Sequence, residues 1–151
     1  MLKFYCSKGS SAVAAHILLE EVGAAYELVE VSIAEGAHRT PEYLARNSKG
    51  RVPALETPGG MISENPAILE YIAATYPHAD MLPEGHYAQA QARSLAAYLC
   101  ATVHVAFAHH KRGPRWAKTE GAVAEMRALA PKNLRDCASY LETALSLSPW
   151  A

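Results

Sequence analysis

Two short stretches carry residue types that could grip a small charged ligand: Asn47 to Glu56, and Ser63-Glu64-Asn65-Pro66 just after it. The apolar runs 52–55 and 61–63 flank Thr57-Pro58-Gly59-Gly60, a turn sequence whose glycines supply the positive φ that tight turns need. This predicts a β-hairpin. Asn65-Pro66 then predicts a helix start, with Asn as N-cap and Pro at the first helical position, where its missing N–H costs nothing. A strand that ends in Ser-Glu-Asn above a helix N-terminus offers backbone donors, a helix dipole and polar side chains in one place. Such a place suits a small ligand bearing carboxylates.

Three other positions could do chemistry. Ser10-Ser11 precede an apolar helical pattern, where a helix end stabilises an anion by roughly 0.3–1 kcal/mol, up to about 2 when partly buried; the plainer role is an N-cap. Cys6-Ser7-Lys8-Gly9 has the look of a monothiol redox loop, with Lys8 near enough to favour a thiolate. Cys6 sits too early for the helix-end field, so the alternatives are thiol–disulfide chemistry and a half-buried small residue. His104 lies in an alanine-rich helical stretch, where it is either a packed surface residue or, near its ordinary pKa of about 6.5, a modulator of nearby charge. The pair His109-His110 lacks the i, i+4 spacing of a helical metal site, and Cys6, Cys100 and Cys137 are too scattered for a zinc site or a disulfide framework. No metal is expected.

The elements that must position these residues follow from period and punctuation. Residues 2–5 read as a strand; from Ser11 a helix follows with Ala14, Ile17, Leu18 and Val22 on one stripe and Gly23 as the stop. Residues 26–31 alternate as a second strand, so the unit is βαβ with parallel strands. Thr40-Pro41-Glu42 starts a short helix ending near Arg46; the hairpin and the Asn65 helix follow, the latter burying Ile68, Leu69, Ile72 and Tyr76. The expected class is α/β plus all-α. Residues 1–77 form a βαβ-αββα domain, 78–86 a linker rich in Pro and Gly, and 87–151 a helical domain of two long helices. The first runs over 87–111; the second, 120–147, is interrupted near Pro131. The helical part reads as incomplete.

Half of the 151 residues are hydrophobic and the formal charge is −1, so a core is available and the net charge points to neither nucleic acid nor an anionic membrane. No apolar run approaches the roughly 20 residues that span a bilayer. The chain opens on a strand without a signal-peptide pattern, and reduced thiols suggest a cytoplasmic protein.

The ordered set Asn47-x-x-Gly50-x-Val52-Pro53-Ala54-Leu55, then Ser63-Glu64-Asn65-x-Ala67-Ile68-x-x-Tyr71-Ile72-Ala73, resembles the thioredoxin-like half of the cytosolic glutathione transferases, above all the bacterial beta-class-like members. The resemblance runs from Leu2 to about Tyr76 and continues more weakly beyond. It implies a thioredoxin-like domain that binds glutathione as co-substrate, with Val52-Pro53 in the cis form so that Val52 presents its backbone to the cysteinyl part of the tripeptide. Arg51 and Lys49 would reach the glycine carboxylate. Glu64 would take the γ-glutamyl ammonium, and Asn65, standing where the family has serine, would hold the γ-glutamyl carboxylate with its side chain and the helix-end backbone N–H. The family's loop cysteine aligns with Ser11, or with Ser10 if the loop is one residue longer; either replacement excludes a mixed disulfide there and favours hydrogen bonding to the thiolate. His104 matches the family's helix histidine, although the lysine after it is absent. The implied reaction is attack of the glutathione thiolate on a small hydrophobic electrophile, a peroxide or a disulfide, in a homodimer serving detoxification. The alternatives are a non-catalytic interaction module of the same fold and a thiol–disulfide reductase using Cys6.

Overall fold

The computed structural model describes residues 1–146 and divides the chain into two compact units, Met1–Ala92 and Arg93–Ala151. In the first unit, β1 (Leu2–Cys6), α1 (Val13–Glu21) and β2 (Tyr26–Glu30) form the expected right-sized crossover, with β1 and β2 parallel from Leu2 opposite Tyr26 to Cys6 opposite Glu30. After α2 (Pro41–Arg46), strands β3 (Ala54–Thr57) and β4 (Gly60–Ser63) form the hairpin, and α3 (Asn65–Thr75) closes the unit. The sheet order is β2-β1-β3-β4, with β3 antiparallel to both neighbours. This is the thioredoxin-like arrangement.

Strand alternation sorts β1 between two cores. Leu2 and Phe4 point to the face covered by α1 and α3, where they join Leu19, Leu55, Ile68 and Ile72. Tyr5 points to the opposite face and packs with Val31, Tyr43 and Ala54 under α2.

Three local expectations are corrected. Helix α1 starts at Val13, two residues later than Ser11, and buries Ala15 and Leu19, with Ala12 and Val22 at its two ends; of the expected stripe Val22 is buried and Leu18 partly so, whereas Ala14 is exposed and Ile17 is 55% exposed. Its sequence is apolar on nearly every side, so period alone fits two adjacent stripes; the sheet selects one. At α3 the cap is Glu64, not Asn65, and it makes no side-chain capping bond. Asn65 is the first helical residue, and its side chain is engaged elsewhere, as described below.

The third correction concerns the helices beyond the linker. The stretch expected as one helix over 87–111 is α4 (His86–Tyr98), a π-helical turn at Leu99–Val103, and α5 (His104–Arg112). By contrast, α6 (Glu120–Ser146) runs unbroken through Pro131. The missing N–H removes one hydrogen bond, and the ring lies on the exposed side, so the turns on either side continue the helix. The end expected at Leu147 lies outside the described residues. Between α5 and α6, Gly113 is buried with Val123 so close that an added Cβ would sit 3.0 Å from its Cγ1.

Candidate ligand-binding site

The loop between α2 and β3 is built by Asn47. Its Nδ2 donates to the Arg51 carbonyl at 2.8 Å, its Oδ1 accepts from the Lys49 N–H at 3.3 Å, and its own carbonyl accepts from the Gly50 N–H at 2.9 Å. Tyr43 adds its hydroxyl to the same Arg51 carbonyl at 2.7 Å. The turn is tight enough that Gly50 takes φ +56°, and a Cβ there would meet Arg39 Nη1 at 2.8 Å and the His38 carbonyl at 3.0 Å. What the loop presents is Arg51, exposed with no side-chain partner among the described residues, then Val52 and the cis peptide bond to Pro53. Neither the N–H nor the C=O of Val52 has a hydrogen-bond partner among the described residues. A half-buried peptide with both groups open is set up to pair with an extended ligand backbone.

The β3–β4 ladder brings the second stretch alongside. Ala54 faces Ser63 in register, which carries Pro53 next to Glu64. Glu64 has φ +77° and ψ +127°, a conformation that costs a non-glycine residue on the order of 1–3 kcal/mol and that concentrates at ligand sites. Its carboxylate reaches the Lys49 ammonium, Oε1 to Nζ 2.9 Å, with both side chains about half exposed. Behind it, α3 begins with the Asn65 and Ala67 N–H groups unpaired, Pro66 having none to offer.

The turn before α1 completes the cluster and separates its two serines. Ser10 donates its hydroxyl to the Ser7 carbonyl at 2.7 Å and accepts from the Ala12 N–H at 3.3 Å. Ser11 is exposed, and neither its hydroxyl nor its N–H has a partner among the described residues. Its carbonyl accepts from Asn65 Nδ2 at 2.8 Å, across 54 residues of sequence. That one bond ties the start of α1 to the start of α3.

Cys6 stands apart from this cluster. It lines a depression of about 210 Å3 with Ser7, Lys8, Ser10, Ala12 and His16. Burial pushes its thiol pKa up and the Glu30 carboxylate adds to the rise, so the expected thiolate-favouring influence of Lys8 does not prevail. His104 is the exposed first residue of α5, in the second unit.

The structure therefore brings Ser11, Lys49, Arg51, Val52, Pro53, Glu64 and Asn65 onto one end of one unit. Sequence reasoning missed Asn47 as the organiser of the loop, although Asn two residues before an open N–H and three before a glycine is the pattern of an Asx turn. It also missed the Asn65–Ser11 bond, for which a sequence holds no local signal. Among the described residues no three His, Cys, Asp or Glu side chains gather as a metal site, and no helix is long and apolar enough to cross a membrane.

A thioredoxin-like domain with a ligand shelf beside a cis-proline, followed by helices, defines the class. Comparison with known proteins gives the family. The glutathione S-transferase N-terminal domain matches residues 2–74. A glutathione transferase homologue from Sulfitobacter, whose crystal structure holds bound glutathione, is 40% identical with a TM-score of 0.92, covering 99% of this chain and 73% of that one. A bacterial beta-class glutathione S-transferase from Sphingomonas chungbukensis is 30% identical with a TM-score of 0.79, covering 97% of this chain and 71% of that one. The maleylacetoacetate isomerase of Rhizobium meliloti is 34% identical over 97 residues, 64% of this chain and 46% of the isomerase. The chain belongs to the glutathione S-transferase family, near its bacterial beta-class-like members. It spans about half the length of the curated relatives it matches.

Proposed function

We propose that this protein is a glutathione-dependent transferase whose N-terminal unit binds glutathione and favours its thiolate. The observation that carries this reading is Ser11: a hydroxyl and an N–H, both without partners, held by Asn65 beside an α3 N-terminus with unpaired donors. The chemistry of the remaining groups fits the tripeptide, which bears one ammonium, two carboxylates, two amides and a thiol. Glu64 takes the ammonium, sharing its carboxylate with Lys49, while the Asn65 and Ala67 N–H groups take the γ-glutamyl carboxylate. Val52 pairs its backbone with the cysteinyl amide, and Arg51 takes the glycine carboxylate. Glutathione supplies the nucleophilic sulfur. Ser11 donates to it, which favours the charged form and enlarges the reactive population near neutral pH. The crystal structures of relatives with bound glutathione support the assignment of the ligand.

The reaction proposed is conjugation or exchange of that thiolate with a small hydrophobic electrophile, peroxide or disulfide. Two bacterial relatives named maleylacetoacetate isomerase, each 34% identical, favour a second reading in which the thiolate adds to and leaves the same carbon skeleton, returning glutathione unchanged. A cytoplasmic homodimer, and a role for His104 in modulating the thiolate or orienting the electrophile, are proposed on the family resemblance alone.

Retention on immobilised glutathione tests the reading. The wild type is expected to bind and to elute with free glutathione, and Glu64→Ala to pass through. His104→Ala is expected to be retained like the wild type but to turn over more slowly. Failure of the wild type to bind would leave the non-catalytic module as the surviving reading. Product analysis then separates transferase from isomerase by whether glutathione is consumed.

A further inference from the structure

Asn65 opens a helix, yet its side chain does neither thing expected of a residue in that place. It does not cap, because the cap position is Glu64 and no side-chain capping bond is made. Nor does it offer itself to a ligand. Its Nδ2 is committed to the Ser11 carbonyl at 2.8 Å, and its Oδ1 is buried without a hydrogen-bond partner. The orientation is fixed by chemistry: the Ser11 carbonyl can only accept, so the amide nitrogen must face it and the oxygen must turn inward. An orphaned buried oxygen is unfavourable, and flipping the amide would set it against the Ser11 carbonyl, replacing a hydrogen bond with a clash of acceptors. The bond to Ser11 therefore outweighs that cost.

The same carbonyl also accepts from the Ala14 N–H at 3.4 Å, at the first turn of α1. The plane of the Ser11–Ala12 peptide is thus held from two sides, by its own helix and by the start of another. Ser10 and the buried Ala12 anchor the turn on either side, while the Ser11 hydroxyl and N–H have no partner among the described residues. Serine in this place could not do the same work, because its hydroxyl sits on a side chain one bond shorter than the amide nitrogen of asparagine.

We propose that Asn65 is a positioning residue for Ser11: its side-chain amide holds the turn before α1 in the one arrangement that aims the Ser11 donors at the ligand sulfur, and that amide makes no contact of its own with glutathione. The inference rests on the functional reading above. It replaces the sequence expectation that the Asn65 side chain grips the γ-glutamyl end, leaving that task to its backbone N–H.

The test titrates the ultraviolet thiolate absorbance of glutathione bound to the full chain, in the wild type, Asn65→Ser, Asn65→Ala, Ser11→Ala and the double variant Asn65→Ser with Ser11→Ala. Asn65→Ser keeps a polar residue suited to a helix start, so at least one variant retains the fold, which thermal melting by circular dichroism checks. Both Asn65 variants are expected to lower the thiolate present at neutral pH by about tenfold, as far as Ser11→Ala does, with no further loss in the double variant. Glutathione affinity should move by less than about threefold. An unchanged titration in Asn65→Ser, additive losses in the double variant, or a large loss of affinity with the titration intact each overturn the positioning role. A wild type that binds no glutathione overturns the functional reading first and this inference with it.

Discussion

Ser10 and Ser11 are adjacent and identical in type, but their hydroxyls do opposite work. Ser10 closes the turn internally; Ser11 leaves its donors open. Ser11→Ala should therefore lower kcat/KM by about tenfold, the effect of losing one hydrogen bond to a charged atom, and leave thermal stability nearly unchanged. Ser10→Ala should do the reverse, costing about 1 kcal/mol of stability in a urea melt with a smaller effect on rate. If Ser10→Ala proves the more damaging to turnover, the assignment of Ser11 is wrong. A second residue-scale prediction concerns Tyr26. Burial, and then the hydrogen bond its hydroxyl donates to the Glu20 carboxylate, push its pKa up from 10.0 to about 12. The folded chain therefore holds this proton where the unfolded chain has lost it. The stabilisation is fully present below about pH 10 and is lost as pH rises towards 12. Tyr26→Phe should flatten the alkaline fall of stability in that window, measured by urea midpoints at stepped pH; a slope equal to the wild type's would remove Tyr26 as its source.

At the scale of elements, the loop between α2 and β3 is what presents Arg51, Val52 and the cis bond to Pro53. Gly50 occupies a left-handed conformation in which an added Cβ would meet Leu44 Cδ2 at 3.0 Å as well as Arg39 and His38. Gly50→Ala should destabilise the protein by about 1–3 kcal/mol and weaken glutathione retention, because the strain falls on the segment that presents Val52. A variant that melts like the wild type and binds as well would show that the loop relaxes freely. Elements of this kind were largely legible in the sequence. The hairpin announced itself through Pro58-Gly59-Gly60, the crossover through alternating strands around a helix of the right length, and the Val52-Pro53 shelf through its place in the family pattern. The register of α1 was not legible, because Val13, Ala14, Ala15, Ile17, Leu18 and Leu19 offer two apolar faces and only the sheet decides between them. The Asn65–Ser11 bond was not legible either, since its two ends meet only after β1, β3 and β4 have assembled between them. Cys6 is the half-buried residue that was one of its two readings, and only the influence of Lys8 was overrated, because a sequence shows Lys8 two residues away but not Glu30 beside it on the neighbouring strand.

For the whole molecule, the two units differ in what they bury. The first fully buries Phe4, Leu19, Leu55, Ile68 and Ile72, five large side chains that each contribute about 1.5–3 kcal/mol by leaving water. Beyond Ala92, the buried apolar side chains among the described residues are Ala106, Ala108, Ala130 and Cys137, all small. Small residues let α5 and α6 approach closely at Gly113 and Val123, but they remove little apolar surface from water. Backbone ordering in this unit costs about the same per residue as in the first, and a helix depends on packing rather than propensity for most of its stability. Pro131 subtracts one more hydrogen bond from the middle of α6. The helical unit should therefore open more readily than the thioredoxin-like one. Native-state hydrogen exchange should show amides of β1, β3 and α3 opening only with global unfolding, and those of α5 and α6 exchanging through a separate opening at lower free energy. Glutathione should slow exchange in the first unit, by the mass-action stabilisation of any folded state that holds a ligand, at least as much as in the second. Identical opening free energies in both units, moving together with denaturant, would mean that the helices and the sheet fold as one cooperative body despite their separate cores.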